Sequence, residues 1–307
     1  MFILSILSGL ALFLFSITQI SSLLKSCVTD SVKLKISKYA DNPFLSLLAG
    51  TILTGTIQSS SGTTAIIISL IRADIVTFKQ SIGFIMGANL GTTVTAFITG
   101  IEIKGLAPLC LILGIVFYMV KKDSKLALGI FYFGLLFFGI TLMESELVKI
   151  LEFPQIQGLI LLMSQHKLFS FIFGILLTTC IQSSSAFVAL IQQLCFLNII
   201  NLPIALFMIT GSNVGTTITA YIASLGGSKE SKMAAMYHFL FNLIGAVVFI
   251  IFYIPIYNYI LTFVVPIKMQ LAIFHALFNL VSIIAIMPFN NMISKCIEKM
   301  FHYSSFS

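Results

Sequence analysis

The sequence predicts an all-α integral membrane protein, an inverted-topology repeat of transmembrane helices with two re-entrant helical hairpins. Three observations carry this reading. Of 307 residues, 58% are hydrophobic and 9% are charged, far too little charge to solvate a globule of this size. Two polar blocks occur twice at one spacing. Gln58-Ser59-Ser60-Ser61 returns as Gln182-Ser183-Ser184-Ser185, and Gly87-Ala88-Asn89-Leu90-Gly91-Thr92-Thr93 returns as Gly211-Ser212-Asn213-Val214-Gly215-Thr216-Thr217, both 124 residues later. Finally, the serine block sits each time in the middle of an apolar segment, where a straight membrane-crossing helix would place its most polar turn in lipid.

Phe2 to Leu24 is long enough, at about 1.5 Å per residue, to cross a hydrocarbon core of about 30 Å. It lacks a basic start and exceeds a signal-peptide core, so it reads as a mature span. Lys25 to Pro43 is a polar connector closed by Asp41-Asn42-Pro43, a helix-start signal. Phe44 to Ile71 would be about 42 Å as one helix, too long, while two arms of about 20 Å each are too short to span. A re-entrant hairpin with its tip near the bilayer middle satisfies both limits. Ser81 to Ile101 is the next span, with Gly83, Gly87 and Gly91 spaced for close backbone approach. Gly105 to Val120 follows, ended by Lys121 to Lys125.

The plan then restarts. Leu126 to Met143 matches the first span, Phe169 to Leu197 the hairpin, Leu202 to Leu225 the Asn/Thr helix, and Met233 to Ile254 the fourth element. The repeats are thus residues 1–125, with hairpin 44–71, and 126–254, with hairpin 169–197. Residues 255–289 form an interfacial segment, bracketed by Pro255 and Pro266, and a last span from Met269 to Phe289; 290–307 is a short cytoplasmic tail. Three crossings and one hairpin per repeat turn the second repeat upside down. Of the 17 basic residues, 13 fall in connectors on one side (25–43, 72–79, 121–125, 226–232 and the tail) against 4 on the other. That side is therefore expected to be cytoplasmic, with the N-terminus outside and the C-terminus inside. The protein is expected in the cell membrane, and the two hairpins enter from opposite faces with their tips meeting near the midplane.

Broken helices meeting at mid-membrane in inverted repeats point to a secondary transporter. Each break exposes N–H groups at a half-helix N-terminus, which favours an anion. Six serine hydroxyls add donors. Free carbonyls at the end of each first arm, with Gln58, Gln182 and nearby threonine oxygens, suit a hard cation such as sodium. All ten acidic residues fall in or beside loops, so the carboxylate relay of a proton-coupled carrier is missing. No Lys or Arg is expected in the core. The first tip continues Gly62-Thr63-Thr64 where the second continues Ala186-Phe187-Val188, so the first hairpin is expected to be richer in ion ligands.

These blocks, with His238-Phe239-Leu240-Phe241-Asn242 and His275-Ala276-Leu277-Phe278-Asn279, resemble the type II sodium/phosphate cotransporters and their short bacterial relatives, over nearly the whole chain from about residue 40 to 289. The resemblance implies sodium-coupled symport of inorganic phosphate, with phosphate on Ser59, Ser60, Ser61, Ser183, Ser184 and Ser185. It puts sodium near Gln58, Gln182, Thr63, Thr92, Thr93, Thr216 and Thr217, and it makes Asn89 and Asn213 braces for the tips. No cofactor is implied; sodium enters as coupling ion and the lipid bilayer as surroundings. Family members are often dimers in which a hairpin-bearing unit moves against a scaffold, so a homodimer is one expectation. Two departures stand out. Residues 290–307 are too short for the soluble regulatory domain that many bacterial relatives carry, and the first repeat has Leu113-Gly114 where the second has His238.

Serine and helix-dipole ligands do not separate phosphate from sulfate or a carboxylate, so a carrier or exporter of another oxyanion is the alternative. An intramembrane hydrolase is disfavoured, because His238 and His275 lie outside the duplicated blocks and a duplicated nucleophile serves no purpose. The chain is expected not to be an enzyme. Both histidines read as structural hydrogen-bonders, Gln192 and Gln193 as interfacial, and the five cysteines, with no C-x-x-C spacing, as small packing residues. Basic residues are not interleaved with aromatics, so no nucleic-acid partner is expected.

Overall fold

The computed structural model describes residues 2–26, 39–101, 105–122 and 124–303. In order come α1 (Phe2–Lys25), α2 (Pro43–Ile57), α3 (Ser60–Arg72), α4 (Phe78–Thr99), α5 (Leu106–Val120), α6 (Lys125–Leu147), α7 (Pro154–Gln165), α8 (Lys167–Ile181), α9 (Ser184–Phe196), α10 (Leu202–Gly215), α11 (Thr217–Ser224), α12 (Lys229–Ile251), α13 (Tyr253–Leu261), α14 (Ile267–Ile286) and α15 (Asn290–Tyr303). No strand occurs among the described residues. The connector residues 27–38 with Cys27, residues 102–104 and Asp123 lie outside them.

Helix starts follow local chemistry. The Asn42 side-chain oxygen accepts from Phe44 N and Leu45 N at 2.9 and 3.1 Å, with Pro43 in the first turn. Thr77 and Gln80 form a reciprocal capping box on α4, and Asn201 caps α10 through Ile204 N at 3.0 Å. Six helical runs among the described residues are long and apolar enough to cross a membrane: 4–23, 78–99, 125–143, 202–224, 229–251 and 267–301. The chain is a multi-pass membrane protein.

Two of these runs are the hubs. In α4 and in α10–α11, 78% and 83% of the most apolar window is buried inside the protein, against 22% for α1. Helix α2 lies along α4, and α8 lies along α10. At both contacts glycine removes the side chain that would keep the backbones apart. A Cβ on Gly87 would strike the Leu47 carbonyl, and one on Gly211 the Phe171 carbonyl; these two glycines are 124 residues apart. Helices α12 and α14 pack on each other and on both hubs. To one side, α1 packs on α6 and α6 on α5.

Four features depart from the sequence reading. Between Met143 and Phe169, where the sequence reading places no element, lies α7, which meets α8 at 119°. The tail forms α15, whose Ile297 and Ser294 are buried against the bundle. Helix α5 packs on α6 at the periphery, whereas α12 is central, so 105–120 and 233–254 do not occupy matching places. Finally, Lys268 is 6% exposed in the first turn of α14, its ammonium 4.0 Å from the centre of the Phe196 ring. A basic residue does enter the interior, at a helix end where its stem packs on an aromatic face.

Candidate functional site

Each Gln-Ser-Ser-Ser block breaks its helix in the same way. Gln58 and Gln182 close α2 and α8 in the left-handed region, both at φ 58, a conformation that strains any residue with a Cβ. Their amides still donate to Thr54 O and Thr178 O, both at 2.7 Å. Ser59 and Ser183 then run extended and cap the following helices, the Ser59 hydroxyl accepting from Gly62 N at 3.0 Å and the Ser183 hydroxyl from Ala186 N at 3.3 Å. The amides of Ser60, Ser61, Ser184 and Ser185 occupy the first two helical positions, with no partner among the described residues. At each tip two N–H groups and a helix dipole are left to act on a neighbouring anion.

The two tips share one cavity of about 370 Å³. Gln58, Ser59, Ser60 and Ser61 line it from one tip, and Gln182, Ser183, Ser184 and Ser185 from the other. Its third wall is α1, through Leu14, Ile17, Thr18, Ser21 and Ser22. The sequence reading missed this wall. Its signal was present, since Thr18, Ser21 and Ser22 recur at three- and four-residue spacing on one helix face. The Ser21 hydroxyl is buried without a partner among the described residues.

Other candidates lie behind the cavity rather than on it. Thr63, Thr92, Thr93, Thr216 and Thr217 are all buried and none lines it. Thr92, Thr93 and Thr217 donate to Ala88 O, Leu90 O and Val214 O within their own helices at 2.7 to 2.9 Å. Thr63 and Thr216 keep unpartnered hydroxyls among the described residues, as do Thr64, Thr54 and Thr178. Asn89 and Asn213 also stand back from the cavity: each donates to its own helix and meets a histidine. His238 Nε2 lies 3.4 Å from Asn89 Oδ1, and His275 Nε2 lies 3.2 Å from Asn213 Oδ1. The histidines are the hydrogen-bonders the sequence suggested, here with named partners.

One hydrogen-bond chain joins the tips. The Ser185 hydroxyl donates to Thr95 Oγ1 at 3.4 Å, and Thr95 donates to Gln58 Oε1 at 2.7 Å; Gln58 Nε2 in turn donates to Gly55 O. Thr95, like the α1 hydroxyls, was not among the sequence candidates. A second bridge corrects the interfacial reading of Gln192. Its Oε1 accepts from Thr99 at 2.6 Å, and its Nε2 donates to Ala96 O and Lys268 O at 2.9 and 2.8 Å. It is 1% exposed, and its neighbour Gln193 is 2% exposed. The cysteine reading holds for buried Cys195, while Cys180 and Cys296 are exposed.

The sequence profile of the Na+/Pi-cotransporter family matches the chain twice, over residues 12–145 and 145–277. The uncharacterized protein YqeW of Bacillus subtilis is 26% identical over 298 residues, 95% of this chain and 97% of that one. The "Putative inorganic phosphate export protein YjbB" of Salmonella typhimurium is 26% identical over 267 residues, 85% of this chain and 48% of that one, so the chain spans about half the length of that relative. Human sodium-dependent phosphate transport protein 2B is 41% identical over 59 residues, 19% of this chain and 9% of its own. No solved structure matches. The doubled profile covers both serine tips, both glycine-packed hubs and both histidine–asparagine pairs, and on that match the chain belongs to the Na+/Pi-cotransporter family.

Proposed function

We propose that this chain is a secondary carrier that couples sodium to the movement of inorganic phosphate across the cell membrane. The observation that carries the reading is the single cavity enclosed by two helix N-termini and their six serines. A phosphate anion fits that chemistry, since it accepts from several N–H and O–H donors at once and is favoured at the positive end of a helix dipole. Family membership supports the choice of phosphate, as do the printed names of the YjbB and 2B relatives.

In this reading α2–α3 and α8–α9 are re-entrant hairpins of two inverted repeats, 1–125 and 126–254, with the N-terminus outside and the C-terminus in the cytoplasm. Ser59, Ser60, Ser61, Ser183, Ser184 and Ser185 hold phosphate. Gln58, Gln182, Thr63, Thr92, Thr93, Thr216 and Thr217 supply oxygens to sodium, and Asn89 and Asn213 brace the tips. Neutral oxygens suit sodium because it is bound without a proton to exchange, and a sodium ion beside the anion offsets its charge where, among the described residues, no basic side chain lines the cavity.

The test is radiolabelled phosphate uptake into proteoliposomes under an inward sodium gradient, compared with potassium, for the wild type and for Gln58→Ala/Gln182→Ala. Sodium-dependent uptake that disappears in the double variant supports the coupled carrier and its location. Uptake indifferent to sodium, or displaced by sulfate as readily as by unlabelled phosphate, would overturn it.

A further inference from the structure

The chain Ser185–Thr95–Gln58 has a twin that is not made. Each of its three residues has a duplicate of the same type 124 positions away: Ser61, Thr219 and Gln182. The duplicates stand apart. Gln182 is exposed with no side-chain partner among the described residues, and Thr219 donates instead to Thr216 O at 2.8 Å. Thr95, by contrast, is buried between the two tips. One of two equivalent hydrogen-bond chains is therefore closed and the other open.

The helices around them repeat the asymmetry. Helix α4 contacts α9 as α11 contacts α3. The first of these contacts carries the Thr99–Gln192 bond, and the second carries Ile68 and Ala223 at the corresponding positions, packed in one apolar cluster with Ala220 and Ala235. At these corresponding positions the contact is polar and bonded on one side and apolar on the other, where the bond between the two helices is at their ends, from Arg72 Nη2 to Leu225 O at 3.4 Å.

We propose that Thr95 and Thr219 are alternating positioning residues. In the conformation described here Thr95 holds Gln58 and ties the second tip to α4. In the opposite-facing conformation Thr219 holds Gln182, Ser61 donates to Thr219, and the Thr95 bonds are released. The proposal rests on the inverted-repeat carrier reading above. It follows from elementary two-state reasoning: where two hairpin-and-hub units are inverted equivalents, the second state is reached by exchanging the conformations of those units, so a bond formed in one is formed by its duplicate in the other. The bond through Gln192 has no polar duplicate and does not exchange; it weights the equilibrium toward the present state.

The experiment labels a single cysteine at the cavity wall, Thr18→Cys, in a chain whose native cysteines are replaced. A membrane-impermeant thiol reagent is applied to each face of sealed, oriented vesicles. Thr95→Val should move the ratio of labelling between the faces away from the wild-type side by roughly fivefold, the weight of one net hydrogen bond, and Thr219→Val should move it the other way. Thr95→Ser and Thr219→Ser keep the hydroxyl and should follow the wild type, which separates loss of a bond from misfolding. Shifts in the same direction, or none in variants that remain monodisperse, would overturn the exchange. Phosphate uptake measured on the same vesicles separates the two readings: opposite shifts without uptake would retire phosphate as cargo and leave the exchange standing.

Discussion

The imidazole of His275 meets the side-chain oxygen of Asn213 at 3.2 Å in the buried centre of the bundle. Asn213 Nδ2 donates to Ile209 O at 2.9 Å, so its Oδ1 is the atom facing the ring and His275 must carry its proton on Nε2. The Asn89–His238 pair repeats this arrangement, with Asn89 Nδ2 on Ile85 O at 2.9 Å. A double-mutant cycle with His275→Ala and Asn213→Ala, read by thermal unfolding in detergent, should return a coupling of about 1–2 kcal/mol. Additive losses would show that the pair does not act as one.

Gly211 faces the Phe171 carbonyl with no room for a methyl group. Gly211→Ala should therefore force α8 from α10 and cost about 1–3 kcal/mol. Gly158, with open space around its Cβ position, is the control: Gly158→Ala should leave the unfolding temperature unchanged or raise it slightly.

Gln192 satisfies one hydroxyl and two carbonyls on two other helices. Gln192→Leu matches its volume and removes all three bonds, but Thr99 keeps Thr95 O at 2.9 Å and Ala96 O keeps Gly100 N at 2.9 Å, so the loss should be about 1–2 kcal/mol. Gln192→Glu should be worse than Gln192→Leu, because a carboxylate there would face two carbonyl oxygens. Thermal unfolding in detergent decides the ranking.

Two carboxylates near α4 should differ sharply. Glu230 Oε2 accepts from Phe78 N at 2.7 Å, at the N-terminus of α4, and Glu230→Ala should cost about 1–2 kcal/mol as lost caps do. Glu298 pairs with Lys79 at 3.2 Å, but the lysine is 58% exposed. Glu298→Gln should stay within about 0.5 kcal/mol and vanish in high salt. Equal effects would contradict both assignments.

The duplicated blocks made the central architecture legible in sequence. A polar turn in an apolar segment gives away a helix break, and glycines four apart give away a close contact, because both costs are local. Packing partners were hidden where they depend on distance in the chain. Nothing near Thr95 announces that it would reach both Gln58 and Ser185, 37 and 90 residues away. The hydroxyls of α1 looked like incidental polarity in a span until the cavity gave them a neighbour. Helix α15 was unreadable as an apolar run, since only one face of it is buried.

The duplicated profile divides the chain at residue 145, yet the imidazole that meets Asn89 comes from His238 in the second part. The first part contains no histidine at all. Two copies of it, joined head to tail, would bring two asparagines to the centre of the bundle and nothing to donate to them. Doubling the first part is therefore not enough to make the whole: the imidazoles that meet both asparagines come from α12 and α14, and they are what tie two similar parts into a single protein.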